Sequence, residues 1–549
     1  MRTIYKLFTK RGRLNFPVMA MFTFLSVISL NTYAQYELDQ DFGTNGYASV
    51  FWEDETNPDG DKCTHPYSLV EQADGKIIVA GNQMYSYQDE SDGSVWMGMT
   101  YCMARFNTDG TLDNTFGDNG TVTLNAINEQ QWAYGMSVIL QDDGKIIMGG
   151  TYYCDEGVNQ DLLLARFNTD GSPDETFGND GLAIINTPNT LESLTYDLFK
   201  LKDGRLIICA NAYNLDYSNG HVVIGCFNSD GSVDESFGEE GIYIFNPTDN
   251  NAEVSAIAET SDGKIIFSGS QKITDINWEY YACRLNSNGT LDETFGNDGI
   301  AKVHTADGNY NLSWGMALQS DDKIVVTGCS IETVNWTTAY AMSRLNADGS
   351  VDESFGDKGS VVVFAQEDLY TGDAILIADE DKIFLTGTAI ETDDSWNVSV
   401  LGFNADGSVN TEFGENGVIN NNFGFDDQRG RDIIKSADGS IYVACNHSKS
   451  YTPGFLLVKY KGGPIPVGIN EDLNTITNSN VYPNPAEDYI CIDTETDDVT
   501  VEIININGQV IHKEENYSKN DRINVNSFAK GIYFVRTSGN NKITKFVKQ

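Results

Sequence analysis

The sequence has few basic side chains. Its 35 lysines and arginines stand against 80 aspartates and glutamates, which gives a formal net charge of −45 at pH 7. Proteins that bind nucleic acid need a basic surface to neutralise phosphates, so this composition argues against a nucleic-acid partner. The excess of acid is typical of a well-solvated surface.

Long apolar runs are also scarce. The one candidate, Phe16 to Leu30, follows a basic segment at 2–13 and precedes the small-x-small triplet TYA at 32–34. This arrangement is that of a secretory signal peptide, and it is too short to span a bilayer stably. We predict that residues 1–34 are a cleaved signal peptide and that the mature chain is exported without a transmembrane segment.

Catalytic signatures are missing as well. The five histidines are scattered without an HExxH pair, and the sequence contains neither a GxSxG elbow nor a Walker loop. Acidic residues are plentiful, but no pair can be singled out for cleavage of a glycosidic bond. The sequence therefore points to no catalytic residue.

The sequence does contain a repeat of roughly 60 residues. The phrase RFN-x-DG-x-LD-x-x-FG-x-x-G, with small variations, occupies residues 105–120, 166–181, 226–241, 284–299, 344–359 and 402–417. A seventh copy is split, with LLVKYKGG at 456–463 as its front half and LDQDFGTNG at 38–46 as its back half. A repeat divided in this way is typical of a closed ring, because a linear solenoid would carry caps instead.

Each repeat contains four short apolar segments separated by Gly, Asp and Asn, without a helical period. Four strands per unit around a ring predict an all-β fold, a seven-bladed β-propeller over residues 35–462. We expect Gly46–Phe51 to pair with Phe455–Tyr460 and close the ring without a free sheet edge. The repeat phrase and the DGKI turns resemble the delta-60 repeats of exported bacterial proteins, a propeller-like family without an assigned activity.

The chain changes character after the repeats. Residues 463–478 are predicted to be a linker, and residues 479–549 alternate with a period of two, which predicts a small β-sandwich. The tail contains a set of motif residues: Tyr482, Pro483, Asn484, Pro485, Gly508, Gly531 and Tyr533. With these residues the tail resembles the type A sorting domain of type IX secretion substrates. The resemblance implies the type IX machinery as a partner, a secreted or surface-attached protein, and in many members removal of the tail.

The tryptophans supply the candidate ligand site. By strand order, Trp52, Trp132 and Trp314 fall on connections between units, and the other four fall on connections between the second and third strands. Antiparallel strands place both kinds of connection on one face, where indoles suit stacking on sugar rings or anchoring a protein partner. Each indole can equally pack its own loop onto the sheet below. The ligand-binding candidates are Trp96, Trp132, Trp278, Trp314, Trp336 and Trp396.

Two further sites follow from residue type. The nine cysteines include no CxxC pair, so a zinc site is not supported, but export permits a disulfide between Cys63 and Cys102 of the first full repeat. Asn107, Asp109 and Asp113 resemble half of a calcium loop. The same three positions also suit Asx turns, so calcium is a weak candidate.

These features favour a secreted binding or scaffold module with a glycan or protein ligand on the tryptophan-bearing face. Two alternatives stay open: a hydrolase or lyase acting on polysaccharide at the mouth of the central channel, and a purely structural surface module. If the protein is an enzyme, we expect titratable residues with perturbed pKa values at the channel mouth. If it is a binding module, we expect an aromatic patch instead.

Overall fold

The computed structural model describes the chain in segments. The described residues are 36–51, 64–88, 95–124, 133–154, 159–187, 190–214, 220–246, 251–274, 277–303, 310–332, 337–363, 372–390, 396–425, 427–449, 452–462, 481–492, 499–505, 510–519, 521–528, 530–537 and 540–548. The chain divides into two compact units, one spanning Tyr33–Gly463 and the other containing Pro464–Gln549. The predicted signal peptide lies outside the described residues.

The first unit is built of short β-strands. In chain order they are β1 (Glu37–Leu38), β2 (Tyr47–Phe51), β3 (Thr64–Glu71), β4 (Ile77–Gln88), β5 (Val95–Phe106), β6 (Thr121–Thr123), β7 (Ala133–Leu140), β8 (Ile146–Cys154), β9 (Asn159–Phe167), β10 (Leu182–Ile185), β11 (Thr190–Lys200), β12 (Leu206–Asn214), β13 (Gly220–Phe227), β14 (Ile242–Phe245), β15 (Ala252–Glu259), β16 (Ile265–Thr274), β17 (Asn277–Leu285), β18 (Ile300–Val303), β19 (Tyr310–Leu318), β20 (Ile324–Glu332), β21 (Thr337–Leu345), β22 (Ser360–Val363), β23 (Gly372–Ile377), β24 (Ile383–Ile390), β25 (Trp396–Phe403), β26 (Val418–Asn421), β27 (Asp427–Lys435), β28 (Ile441–Lys449) and β29 (Thr452–Lys461). One 3₁₀ turn, Asp379–Asp381, joins β23 to β24.

These strands form antiparallel sheets in which sequence neighbours pair. The sets are β3–β6, β7–β10, β11–β14, β15–β18, β19–β22 and β23–β26, each with its first strand at one edge. A single bridge, Trp278 to Tyr310, joins the fourth and fifth of these sets. The all-β fold and its four-stranded units are those predicted from the repeat.

The last set draws strands from both ends of the first unit. Strands β27, β28 and β29 are followed across the sheet by β2, with Tyr47 opposite Val458 and Val50 opposite Phe455. This is the pairing that the split repeat predicts. β1 extends the same edge of β29, with Leu38 opposite Tyr460.

Apolar cores fill the spaces between consecutive sheets. Every residue of β13 is buried, because both faces of this central strand are covered by neighbouring sheets. The first strands of the sets, here called the inner strands, lie against one another in sequence, and β27 lies against β3. One core joins residues of the last set to residues of the first, including Tyr442 and Leu457 on one side and Leu69 and Ile77 on the other.

The repeat phrase supplies a buried ionic cluster that links neighbouring sheets. Arg166 Nε and Lys145 Nζ each lie 2.7 Å from Asp174 Oδ2, and the guanidinium lies 4.6 Å above the Phe177 ring. Arg166 Nη1 also donates to the carbonyl of Ser229 in the next sheet, at 3.1 Å. Equivalent arginines lie 4.4–4.7 Å above their own phenylalanines: Arg105, Arg284 and Arg344.

The second unit has its own core. Its strands are β30 (Val481–Tyr482), β31 (Tyr489–Ile492), β32 (Val499–Asn505), β33 (Val510–Tyr517), β34 (Ile523–Asn524), β35 (Gly531–Thr537) and β36 (Asn540–Lys548). They form a three-stranded sheet, β30-β31-β34, and a four-stranded sheet, β33-β32-β35-β36. Apolar side chains of both sheets meet in one core, as in a small sandwich.

Candidate functional site

A row of β-bulges is the most unusual feature of the inner strands. Each inner strand has a register shift against its neighbour at the same position of the repeat, which leaves one extra residue there, and β11 has a second shift between Thr190 and Glu192. These extra residues, here called the bulge row, are Tyr67, Met136, Tyr196, Ser255, Trp314, Asp373 and Arg431. Bulges re-aim side chains and are enriched beside functional sites.

Side chains of the bulge row contact one another across sheets. Arg431 Nη1 lies 3.3 Å from Asp373 Oδ2, and its guanidinium carbon lies 5.9 Å from the centre of the Tyr67 ring. Trp314 is 37% exposed, and it hydrogen-bonds the buried Cys329 thiol. The row therefore combines three aromatic rings with an ion pair, a hydroxyl and a thioether.

Two carboxylates occupy the position immediately after the bulge. Asp197 Oδ2 accepts the Ile257 N–H of the next inner strand at 3.1 Å, and Asp432 Oδ2 accepts the Leu69 N–H of the next at 3.0 Å. Each carboxylate also accepts the N–H of the residue that follows it. The equivalent residues in the other strands are small: Ser68, Ser137, Ala256, Gly315 and Ala374.

Both carboxylates hold their protons more tightly than exposed aspartates do. Each carboxylate is half-buried by the strands around it. This burial raises the pKa of Asp197 to about 6, against the opposing effect of its backbone hydrogen bonds. Burial likewise raises the pKa of Asp432 to about 7, and the negative charge of Asp197 raises it further.

Three of the described tryptophans lie at the start of a third strand, at the end of the connection where the prediction placed them: Trp96 in β5, Trp278 in β17 and Trp396 in β25. Trp314 lies inside β19, whereas the prediction placed it on a connection. The shared loop face stays a prediction. The strands run further than the apolar segments because polar residues continue the ladders. Trp132 and Trp336 lie outside the described residues.

The individual tryptophan environments differ. Trp278 is 7% exposed and packs 5.9 Å from the Tyr310 ring, so it belongs to the core. Trp396 is half-buried beneath the Arg429 guanidinium, 3.9 Å from its ring centre. Only Trp314 joins the bulge row.

The weak calcium candidates form turn hydrogen bonds. Asp109 Oδ1 accepts the backbone N–H and the hydroxyl of Thr111, at 2.9 and 2.7 Å, and Asn107 Nδ2 donates to the same hydroxyl. Asp113 is paired with Lys76 and Arg105. Within the described ranges, no three His, Cys, Asp or Glu side chains come together as a metal site requires. Calcium binding stays a prediction without support here.

The structure describes one of the two cysteines of the predicted disulfide. Cys102 is a free thiol buried among apolar side chains of the first sheet, and burial raises its pKa well above the ordinary value. Cys63 lies outside the described residues. The bond stays a prediction, and the position of Cys102 in the core gives it no support.

The motif residues of the second unit serve its packing. Asn484 Oδ1 accepts the Val547 N–H at 3.0 Å, and Tyr533 stacks on Phe546 with ring centres 5.6 Å apart. Gly531 begins β35, Tyr482 is 42% exposed, and Gly508 lies outside the described residues. Residues 480–549 match the family described as a secretion system C-terminal sorting domain. The second unit is a secretion sorting domain.

The sorting domain sets the destination of the protein. It addresses the chain to the type IX secretion machinery, and the protein is secreted or displayed at the cell surface. Among the described residues, no helix is long and apolar enough to cross a bilayer.

The repeats match a second family, described as a domain of unknown function (DUF5122) beta-propeller. The matched residues are 72–96, 100–116, 141–177, 201–237, 260–295 and 319–355. The first unit is therefore a β-propeller by family. No curated protein matches the chain.

Solved structures resemble the chain only distantly. A Dyadobacter fermentans protein of unknown function is 11% identical, with 76% of this chain and 98% of that chain covered and a TM-score of 0.39. An α-L-arabinofuranosidase of Fusarium graminearum is 12% identical, with coverages of 65% and 97% and a TM-score of 0.39. A Penicillium chrysogenum α-L-arabinanase is 11% identical, with coverages of 66% and 99% and the same TM-score. Likeness at this level carries no argument about activity.

Proposed function

We propose that residues 35–462 form a closed ring of seven blades and that the ring binds a glycan at the bulge row, in the space that the inner strands surround. Three observations support the ring: the β2–β29 pairing, the contact of β27 with β3, and the core shared by the last and first sets. The sorting domain would deliver this binding module to the outside of the cell.

The observation that carries the glycan proposal is the composition of the bulge row. Trp314 offers an exposed flat apolar face and Tyr67 a half-buried one, and Arg431 and Asp373 offer polar groups beside Tyr67. Sugar rings present apolar faces and edge hydroxyls, so they suit a site that mixes aromatic rings with a few hydrogen-bonding groups. The acidic charge of the chain favours a neutral glycan over a polyanion.

A glycan array probed with the full-length secreted protein tests this proposal. We expect Trp314→Phe to weaken and Trp314→Ala to abolish the signal, because the indole supplies stacking area. Tyr67→Ala should also weaken it by at least tenfold. Ile244→Ala, which removes an exposed apolar side chain of the outer strand β14, is the control and should leave binding unchanged.

The array also separates the alternatives. If Trp396→Ala or Trp132→Ala abolishes binding while Trp314→Ala does not, the ligand binds the loop face predicted from the sequence. If no glycan and no protein partner is retained, the propeller is a structural module.

A polysaccharide hydrolase or lyase is the second candidate, and the two carboxylates beside the bulge row favour it. The raised pKa values of Asp197 and Asp432 suit proton transfer near neutral pH. Release of reducing ends from a polysaccharide panel, lost in both Asp197→Asn and Asp432→Asn, would support this candidate. Binding without release would leave the protein a binder.

A further inference from the structure

The bulge row contains one ion pair, and aromatic residues flank it on both sides. Strands β19, β23, β27 and β3 contact one another in that order, and their bulge residues are Trp314, Asp373, Arg431 and Tyr67. These four residues are here called the charged sector. The three remaining bulge residues, on β7, β11 and β15, carry no charge: Met136, Tyr196 and Ser255. The charge of the row is therefore confined to one part of it.

The Arg431 side chain is held by three neighbours. Its Nε donates to Asn446 Oδ1 at 3.2 Å, and its Nη1 lies 3.3 Å from Asp373 Oδ2. Its guanidinium carbon lies 5.9 Å from the centre of the Tyr67 ring. The side chain is 25% exposed, and its Nη2 bonds no other group in the part of the chain that the structure describes. Arg431 is thus a fixed donor with N–H groups to spare, which is the condition for binding a ligand without first ordering the side chain.

Asn446 can hold Arg431 because the next inner strand offers it no bond. The asparagines at the same position of two other sheets, Asn82 and Asn211, each accept a backbone N–H from the next inner strand. At the corresponding position the strand that follows Asn446 has Pro66, which lacks an N–H. The Asn446 amide oxygen therefore accepts from the guanidinium of its own sheet instead.

Trp314 lies on the other side of Asp373. Its indole hydrogen-bonds the Cys329 thiol, and the Asp373 carboxylate lies close enough to the same thiol to act on it electrostatically. Trp314 nevertheless stays 37% exposed. The charged sector thus places an exposed ring, an acceptor, a donor and a half-buried ring on consecutive strands.

We propose that Arg431 and Asp373 select the ligand of the bulge row by binding two neighbouring free hydroxyls of a neutral sugar. This inference rests on the glycan-binding function proposed above. Arg431 donates from Nη2 to one hydroxyl oxygen, Asp373 accepts the hydrogen of the next hydroxyl, and a flanking ring stacks on the apolar face of the sugar.

The charge balance of the pair favours a neutral sugar. Asp373 already matches the guanidinium, so a carboxylate or sulfate on the ligand would compete with Asp373 and would approach a protein with a net charge of −45. A hydroxyl displaces neither partner, because it both donates and accepts hydrogen bonds. A sugar whose neighbouring hydroxyls are removed or substituted leaves the two charged groups without partners, which costs affinity.

A scan of single hydroxyls tests the inference with the full-length secreted protein. The neutral glycan that binds best on the array is compared with analogues in which one hydroxyl at a time is replaced by hydrogen. Removal of either of two neighbouring hydroxyls should weaken binding by about tenfold or more, because each bonds a charged side chain. Removal of the other hydroxyls should cost less.

Two variants assign these hydroxyls to their partners. Arg431→Gln and Asp373→Asn should each weaken binding of the parent glycan, but neither should weaken binding of the analogue that lacks the hydroxyl it contacts. A general loss of folding cannot produce this pattern, because parent and analogue are compared within one variant. Asp203→Asn, which removes an exposed partner of Arg205 at the turn before β12, is the matched control and should leave the scan unchanged.

Three results would overturn the inference. If the wild type retains no neutral glycan, the proposed function fails with it. If Trp314→Ala abolishes binding but every hydroxyl costs the same in wild type and in both variants, only the selection by Arg431 and Asp373 fails. If a sulfated or uronate analogue binds more tightly than the parent and Arg431→Gln removes that gain, the arginine binds an anion instead.

Discussion

At the scale of single residues, side chains of the repeat phrase form the contacts that join neighbouring sheets. Asp174 neutralises Arg166 and Lys145, and Arg166 in turn covers Phe177 and reaches the next sheet. Burial opposes ionisation of Asp174, but hydrogen bonds from Lys145 and Thr176 outweigh it and lower the pKa. The stability that this carboxylate provides is therefore present above the ordinary aspartate range and is lost only as pH falls below it.

Asp174→Asn should destabilise the propeller by about 3 kcal/mol, because it leaves two enclosed cations without their counter-charge. The repeat that contains Gly402 and Asn410 provides the control, since it lacks both the arginine and the aspartate. There Asn410→Ala removes one turn hydrogen bond, to the Glu412 N–H, and should cost about 1 kcal/mol. Urea unfolding of the two variants measures the difference, and equal costs would contradict the ionic role.

At the scale of the element, the inner strand carries a bulge at one fixed position, and the residue at that position differs between repeats. Its bulge fixes the point at which one side chain leaves the hydrogen-bonded ladder. In four of the sheets a hydrogen bond, here called the latch, runs from the N–H of the residue before the bulge to a side chain of the preceding sheet: Gly135 to Asn82, Thr195 to Thr151, Val254 to Asn211 and Ser313 to Ser270. The residues around the bulge are small or hydrogen-bonded, whereas the bulge row itself varies from Met136 to Arg431. The position of the bulge is thus kept while the side chain at that position changes.

Asn211→Ala should cost about 2 kcal/mol, because it leaves the Val254 N–H buried without an acceptor. Asn446→Ala is the matched change at the junction where Pro66 offers no N–H. It should cost less, since it removes only the half-buried bond from Arg431. Thermal unfolding at pH 5 distinguishes them, and a larger loss for Asn446→Ala would refute the latch.

At the scale of the whole molecule, the two ends of the repeat region build one sheet. Lys459 lies 3.6 Å from Asp39 and its ammonium lies 5.9 Å from the Phe42 ring, so the split copy reproduces the ionic cluster of the intact copies. Tyr36 packs 5.4 Å from Phe384 and 5.9 Å from Phe413. Gly402 stands there in place of the arginine that covers the phenylalanine elsewhere.

A mature chain that begins at residue 52 should lose this arrangement. It lacks β1 and β2, so the β29 edge and the core around Leu457 and Phe455 become exposed to water. We expect a lower melting temperature and rapid proteolysis of the last sheet. A synthetic peptide of residues 36–51 should bind and restore protection, whereas the same peptide with Val50→Asp should not. An unchanged melting temperature without peptide binding would argue against closure by the N-terminal strand.

Some features of the fold and of the candidate site could be predicted from the sequence, and others could not. The pairing of Gly46–Phe51 with Phe455–Tyr460 followed from the split phrase, because strand order in a repeated sheet leaves one partner for each half. The sorting domain followed from short motifs in a characteristic order. Trp314 was singled out for its type, but its strand position and its neighbours in the bulge row were not foreseen.

The sequence by itself determined the all-β repeat, the place where the repeat is split and the export address, because these depend on local turn chemistry and on short motifs. Only the tertiary structure decided that Tyr67, Trp314 and Arg431 occupy equivalent bulges, and that Asp197 influences Asp432, which lies 235 positions further along the sequence. A bulge is a mismatch between two strands, and a pKa is set by groups brought together from distant sheets. Neither property can be read from the order of the residues, because each depends on which strands become neighbours in the folded protein.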